Sequence, residues 1–150
     1  MTKRIIYGIL MVIWMVVIFS FSNSTGVKSD SLSKKVISNA ITLYENVTNK
    51  DVDNEYYLEK LDFPVRKLAH FTEYAILGFL VINFCLSFNM LYAGTFSILL
   101  CFLYAMSDEF HQLFINGRSG QFTDVLIDTS GAIIMIGIIK LFKRKKNNTK

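Results

Sequence analysis

The sequence predicts an all-α membrane protein, a bundle of four transmembrane helices with an external amphipathic helix or loop between spans 1 and 2. Of its 150 residues, 52% are hydrophobic, and these concentrate in four long apolar runs. Each run is close to the ~17–25 residues needed to cross a hydrocarbon core. With 8 glycines and 1 proline the chain has no linker-like stretch, which favours a single domain over 1–150. The runs cover 5–21, 68–88, 90–106 and 125–142.

The first run, 5–21, resembles a signal peptide in one respect, because Lys3 and Arg4 precede it. It is nevertheless long for the apolar region of a signal peptide, and Ser22-Asn23-Ser24 follows instead of a small-x-small cleavage site. We therefore expect this run to be a retained membrane span.

The segment between the first two spans, 22–67, is predicted to be external. Part of it has apolar residues at helical spacing, which predicts an amphipathic helix. Such a helix would lie on the outer membrane surface, cap the bundle, or be a solvated loop helix. The apolar stripe consists of Leu32, Val36, Ile37, Ala40, Ile41 and Tyr44.

Positive charge is concentrated at two places, before the first span and after the last. The net charge of +4 is thus local, and it indicates a membrane anchor rather than a nucleic-acid-binding face. Because four spans return the chain to its starting side, the positive-inside rule predicts that both termini are cytoplasmic. The basic tail consists of Lys140, Lys143, Arg144, Lys145, Lys146 and Lys150.

Ten polar or charged residues near the external ends of spans 2, 3 and 4 form the candidate functional cluster. Residues three or four positions apart on a helix share one face. The cluster residues of span 2 have this spacing, as do those of span 4, so we expect each set to point in one direction. Ionisable groups at membrane depth are costly and usually functional, although charge pairing that merely aligns the helices is the simpler alternative. The cluster consists of Arg66, His70, Glu73, Asp108, Glu109, His111, Gln112, Arg118, Asp124 and Asp128.

Small residues predict that this cluster faces inward, between helices. A ladder of four small residues runs along span 3 and continues to Glu109, and small faces let membrane helices approach closely. The aspartate face of span 4 likewise leads into Gly131 and Ala132. The ladder is Ala93, Ser97, Cys101 and Ala105.

Three ordered motifs resemble those of VanZ-like integral membrane proteins. The first is Arg66-Lys67-Leu68-Ala69-His70-Phe71-Thr72-Glu73-Tyr74. The second is Asp108-Glu109-Phe110-His111-Gln112-Leu113-Phe114. The third is Gly117-Arg118-Ser119-Gly120, with Asp124 and Asp128-Thr129-Ser130-Gly131-Ala132. The ending of the first span, Phe19-Ser20-Phe21-Ser22, is also similar to that of the family.

The resemblance implies one VanZ-like membrane domain in the cytoplasmic membrane of a bacterium, as part of the cell envelope. The family is named after a protein linked to low-level resistance to the glycopeptide antibiotic teicoplanin. It implies no particular reaction, and we lean towards a protein that is not an enzyme.

Our first functional hypothesis is the binding of an anionic ligand at the outer leaflet, such as a cell-wall precursor or a lipid-linked intermediate. Arg118 lies in the turn-forming run Asn116-Gly117-Arg118-Ser119-Gly120. A guanidinium beside flexible backbone donors suits a phosphate or a carboxylate. Arg118 could equally pair with Asp124. This hypothesis requires no cofactor, and its partners are membrane lipid and the anionic ligand, not nucleic acid.

The alternatives are a metal-assisted hydrolase or transferase and, third, a transporter or proton relay. His70, Glu73, His111 and Asp124 are of the residue types that hold catalytic zinc, although no HExxH motif occurs. A relay would use the same buried carboxylates and histidines. The inner halves of the spans, however, are almost wholly apolar.

Overall fold

The computed structural model describes residues 2–148, which form five α-helices and no strand. They are α1 (Thr2–Ser22), α2 (Gly26–Thr48), α3 (Asn54–Ser87), α4 (Ala93–Gln112) and α5 (Phe122–Asn148). The predicted all-α class is confirmed. Lys150 of the predicted basic tail lies outside the described residues.

Three helices within 2–148 are long and apolar enough to cross a membrane, namely α1, α3 and the stretch Phe122–Lys145 of α5. Large apolar side chains such as Ile9 and Val16 remain exposed on α1, as a lipid-facing helix requires. The predicted third span, 90–106, corresponds to α4, whose last turns carry Asp108 and Glu109 and are less apolar. The membrane character is therefore supported, whereas the count of four spans is not confirmed.

Helices α1 and α3 run in opposite directions. The side chain of Arg4, at the start of α1, donates from Nε to the carbonyl of Ser87 at the end of α3, over 2.8 Å. Further along, Trp14 Nε1 donates to the carbonyl of Glu73 over 2.9 Å. The end of α1 therefore lies beside the middle of α3, where the polar motif begins.

Helices α3 and α5 run parallel to each other. Lys67 pairs with Asp124 at one level, and Lys143 Nζ contacts Asn83 Oδ1 at 3.3 Å at the other. The second half of α3 and the whole of α5 thus begin at the polar end of the bundle and finish at the basic end.

Helix α4 runs parallel to α1. The Tyr104 hydroxyl donates to the carbonyl of Met15 over 2.6 Å, and His111 Nε2 is 3.3 Å from Asn23 Oδ1 beyond it. The four helices therefore place the polar motifs at one end and the basic residues that flank α1 and α5 at the other.

The segment 22–67, predicted to be an external amphipathic helix or loop, is mostly helical, and the helix that contains the predicted span 68–88 begins earlier, at Asn54. Helix α3 begins at Asn54 after an N-cap, where the Asp53 side chain accepts a hydrogen bond from the backbone N–H of Tyr56 at 3.1 Å. It continues through Pro64. Hydropathy marks only the apolar half of such a helix, so its polar first half was not recognised.

Helix α2 packs antiparallel against that polar half of α3. Ser33 donates to the carboxylate of Asp62, and Arg66 pairs with both Asp30 and Asp62. Of the predicted apolar stripe, Ile37 and Ile41 are buried, whereas four residues are exposed. The sequence therefore predicted the helix correctly but only part of its buried face. The exposed members are Leu32, Val36, Ala40 and Tyr44.

The core beneath the polar end is apolar and tightly packed. Along α4 the predicted small-residue ladder is buried throughout, with Ser97, Cys101 and Ala105 fully inaccessible. Cys85 and Cys101 are buried free thiols. Close packing through small residues therefore brings α4 against its neighbours and fixes the height at which Asp108 and Glu109 meet them.

Candidate functional site

The site is built at a close approach of α3 and α5. A Cβ atom on Gly131 would lie 2.2 Å from the carbonyl oxygen of Phe71, so only glycine fits there. One turn earlier on α5, this contact sets Asp128 against His70, with Oδ1 3.4 Å from Nδ1. Asp128 is fully buried, and neither of its carboxylate oxygens has a hydrogen-bond partner within the described chain.

The end of α4 contributes two further buried carboxylates, Asp108 and Glu109. Gln112, one turn on, donates from Nε2 to both of them at 3.2 Å. The backbone N–H of Gln121 also donates to Glu109 Oε2 at 2.9 Å. These bonds fix the Glu109 carboxylate, while Asp108 Oδ1 remains buried without a hydrogen-bond partner among residues 2–148.

The segment between α4 and α5 folds back onto the start of α2. Gly117 has φ +75°, which favours glycine, and Asn116 accepts a hydrogen bond from the backbone N–H of Gly26 at 3.1 Å. A Cβ atom on Gly26 would lie 2.0 Å from the Gly117 carbonyl oxygen. This contact explains why residue 26 is glycine, whereas the positive φ explains the glycine at 117. The turn places Arg118 at the end of α1.

The guanidinium of Arg118 makes three hydrogen bonds, to the carbonyls of Ser24 and Phe21 and to Gln112 Oε1, at 2.9, 3.1 and 3.2 Å. It does not pair with Asp124, and no carboxylate of residues 2–148 lies within ion-pair distance. Burial lowers the pKa of Arg118, while the carboxylates of Asp108, Glu109 and Glu73 act against that change. Arg118 thus binds carbonyl groups at the end of α1. Three of its five N–H donors are used in these bonds, and the others are available to a further partner.

Two other basic residues have carboxylate partners. Lys67 pairs with Asp124 between α3 and α5, and Arg66 pairs with Asp30 and Asp62. Charge pairing, the simpler alternative, therefore accounts for part of the polar cluster. Asp62 lies four residues before Arg66, which is the spacing of a helical ion pair and could have identified it from the sequence. No signal in the sequence pointed to Asp30, because it lies on another helix, α2.

The four residues considered as metal ligands are dispersed. His111 stacks on Phe19, with ring centroids 4.7 Å apart, and faces the end of α1. Asp124 is engaged by Lys67, and Glu73 lines a cleft. His70 groups instead with Glu109 and Asp128, and one ligand atom from each of these three residues lies within 4.8 Å of the others.

Two neighbouring cavities open at this end of the bundle. The apolar cleft, about 320 Å³, lies between α1, α2 and α3, and polar groups converge on one side of it. The basic pocket, about 210 Å³, lies between α2, α3 and the segment before α5. Residues that line both are Ser29, Arg66, His70 and Arg118.

The sequence model of the VanZ/LLP1 family matches residues 7–143 of the chain. That range includes all ten residues of the predicted cluster. No curated protein and no solved structure matches the chain.

Proposed function

This chain belongs to the VanZ-like family, and from that premise we propose that it binds an anionic, lipid-linked ligand at the outer leaflet of the bacterial cytoplasmic membrane. The observation that carries the proposal is the position of Arg118 between two cavities. A guanidinium has five N–H donors, and three are bonded here. The remaining donors and the charge are available to a phosphate or carboxylate.

The shape of the apolar cleft supports an amphiphilic ligand. Its apolar wall has Leu32 and Val36 from α2 and Ile18 and Phe21 from α1. Contact with such a wall contributes binding free energy for an acyl or polyprenyl chain, whereas it contributes none for a small soluble anion. In our proposal the chain of the lipid occupies this cleft and its headgroup reaches Arg118.

The charge distribution supports a proposed topology. Both termini are proposed to be cytoplasmic, since Lys3 and Arg4 lie at the same end of the bundle as the basic part of α5. We expect alkaline phosphatase fused at the C-terminus to be inactive, and the same enzyme inserted at Asn49 to be active. An active C-terminal fusion would contradict this orientation and place the site inside.

Ligand binding can be followed through Trp14, the only tryptophan of the chain. Its indole is bonded to the carbonyl of Glu73, which lines the apolar cleft. In nanodiscs of zwitterionic lipid, a long-chain polyprenyl monophosphate should change Trp14 fluorescence saturably. Arg118→Gln should weaken binding by about tenfold or more, because a charge-assisted hydrogen bond contributes roughly 1.5–3 kcal/mol.

The matched control is Arg4→Gln. Arg4 also binds a carbonyl at a helix end, but at the opposite end of the bundle, so its replacement should leave the dissociation constant unchanged. Arg118→Lys keeps the charge and should give an intermediate affinity. Equal affinity in wild type and Arg118→Gln would refute the proposal, and equal responses to polyprenol and to the phosphate would refute headgroup recognition.

A link to teicoplanin tolerance is proposed from the family alone. A protein that binds a lipid-linked cell-wall intermediate at the outer leaflet would compete with, or alter access of, an antibiotic that acts there. Expression of the wild type should then raise the minimal inhibitory concentration of teicoplanin, and Arg118→Gln at equal membrane abundance should not.

A further inference from the structure

We infer that His70, Glu109 and Asp128 form a binding site for a divalent transition-metal cation between α3, α4 and α5. One ligand atom from each residue lies within 4.8 Å of the others. Around a metal with bonds of ~2.1 Å, neighbouring ligands are roughly 3–4 Å apart, so small side-chain rotations would complete coordination. The inference is independent of the proposed anionic ligand.

The state of Asp128 points to a missing partner. The residue is 0% exposed, and both carboxylate oxygens lack a hydrogen bond within the described part of the chain. His70 Nδ1 is likewise buried and lies at ion-pair distance from Asp128 Oδ1, 3.4 Å, but neither atom makes a hydrogen bond among residues 2–148. Buried polar atoms rarely remain unsatisfied, and a cation would satisfy the imidazole nitrogen and the carboxylate together.

Glu109 is held in the way that metal ligands usually are. Gln112 Nε2 and the backbone N–H of Gln121 bind its two oxygens at 3.2 and 2.9 Å. Such outer bonds orient a carboxylate while leaving lone pairs for a metal. One imidazole and two carboxylates from three helices suit Mn²⁺, Co²⁺ or Zn²⁺ better than the all-oxygen sites that Ca²⁺ prefers.

The site adjoins the cavities, because His70 lines both the apolar cleft and the basic pocket. A cation there would be the largest local positive charge and would attract an anion to the same region as Arg118. Its binding can still be measured with no anionic ligand present.

The test uses full-length protein in detergent, stripped with a chelator and titrated with Co²⁺ as the probe. We expect about one Co²⁺ per chain, with absorption bands that indicate nitrogen and oxygen ligands. Asp128→Asn and Glu109→Gln should each weaken Co²⁺ binding by about 100-fold or more, and His70→Gln should also change the spectrum.

Glu59→Gln is the matched control for Glu109→Gln, because it makes the same exchange at an exposed position of α3 outside the site and outside both cavities. It should bind Co²⁺ as the wild type does. Wild-type protein that takes up no Co²⁺ would overturn the inference, since this result does not depend on the folding of any variant. Equal loss of Co²⁺ affinity in Glu59→Gln and Glu109→Gln would also overturn it.

Discussion

Replacing Gly131 with valine should strongly destabilise the bundle. The Cβ atom of any larger residue would lie 2.2 Å from the Phe71 carbonyl oxygen, which belongs to the rigid backbone of α3. Helices α3 and α5 would have to separate at the level of the site. Overpacking of this kind costs about 1–3 kcal/mol and more where backbone is involved. We expect a strong loss of membrane abundance and a lower melting temperature in detergent.

Gly137→Val is the matched control for that experiment. Gly137 lies on the same helix, its replacement makes the same change in helix propensity, and a Cβ atom added there would meet nothing within 4 Å among the described residues. The melting temperature of this variant should stay near that of the wild type. Similar losses in both variants would mean that helix propensity, and not the close approach of α3 and α5, explains the effect.

The sequence predicted the helices of the bundle because membrane spans are delimited by apolar length and small residues. It placed 5–21 inside α1 and 125–142 inside α5, close to their observed positions. It missed the polar first half of α3, since a helix that packs on one neighbour, α2, need not have a long apolar run. The acidic residues in the last turns of α4 likewise lower its apolar character, so the number of spans is not fixed by apolar length.

For the site, helical spacing predicted which residues share a face but not which residues of other helices they meet. Asp128 was correctly placed on the inward face of α5, and it is fully buried. The partner of Asp124 is Lys67 rather than Arg118, because the turn at Gly117 directs Arg118 towards the end of α1. Such choices depend on helix rotation and on loop geometry, which spacing along one chain does not encode.

The two aspartates of α5 should respond oppositely to neutralisation, and this contrast separates scaffold from site. Asp124 is paired with Lys67, and their side chains are only 10% and 19% exposed. Asp124→Asn leaves the lysine uncompensated, which costs about 3–5 kcal/mol for a buried pair. The double variant Lys67→Met/Asp124→Leu removes both charges and should recover most of the lost stability.

Asp128, one helical turn deeper, is fully buried and makes no hydrogen bond within residues 2–148. Its favourable contact in this group is with His70 Nδ1 at 3.4 Å, and it also lies close to the carboxylate of Glu109. In metal-free protein, Asp128→Asn should leave the melting temperature unchanged or raise it. The cost of burying the carboxylate and its repulsion from Glu109 are expected to outweigh the contact with His70, which is an ion pair only when the imidazole is protonated. If removal of the Asp128 carboxylate stabilises the fold, the carboxylate does not hold the helices together. Its presence would then favour a functional role. Thermal unfolding of both single variants in chelator-treated detergent solution distinguishes the two roles. A fall in melting temperature for Asp128→Asn as large as that for Asp124→Asn would make Asp128 part of the scaffold.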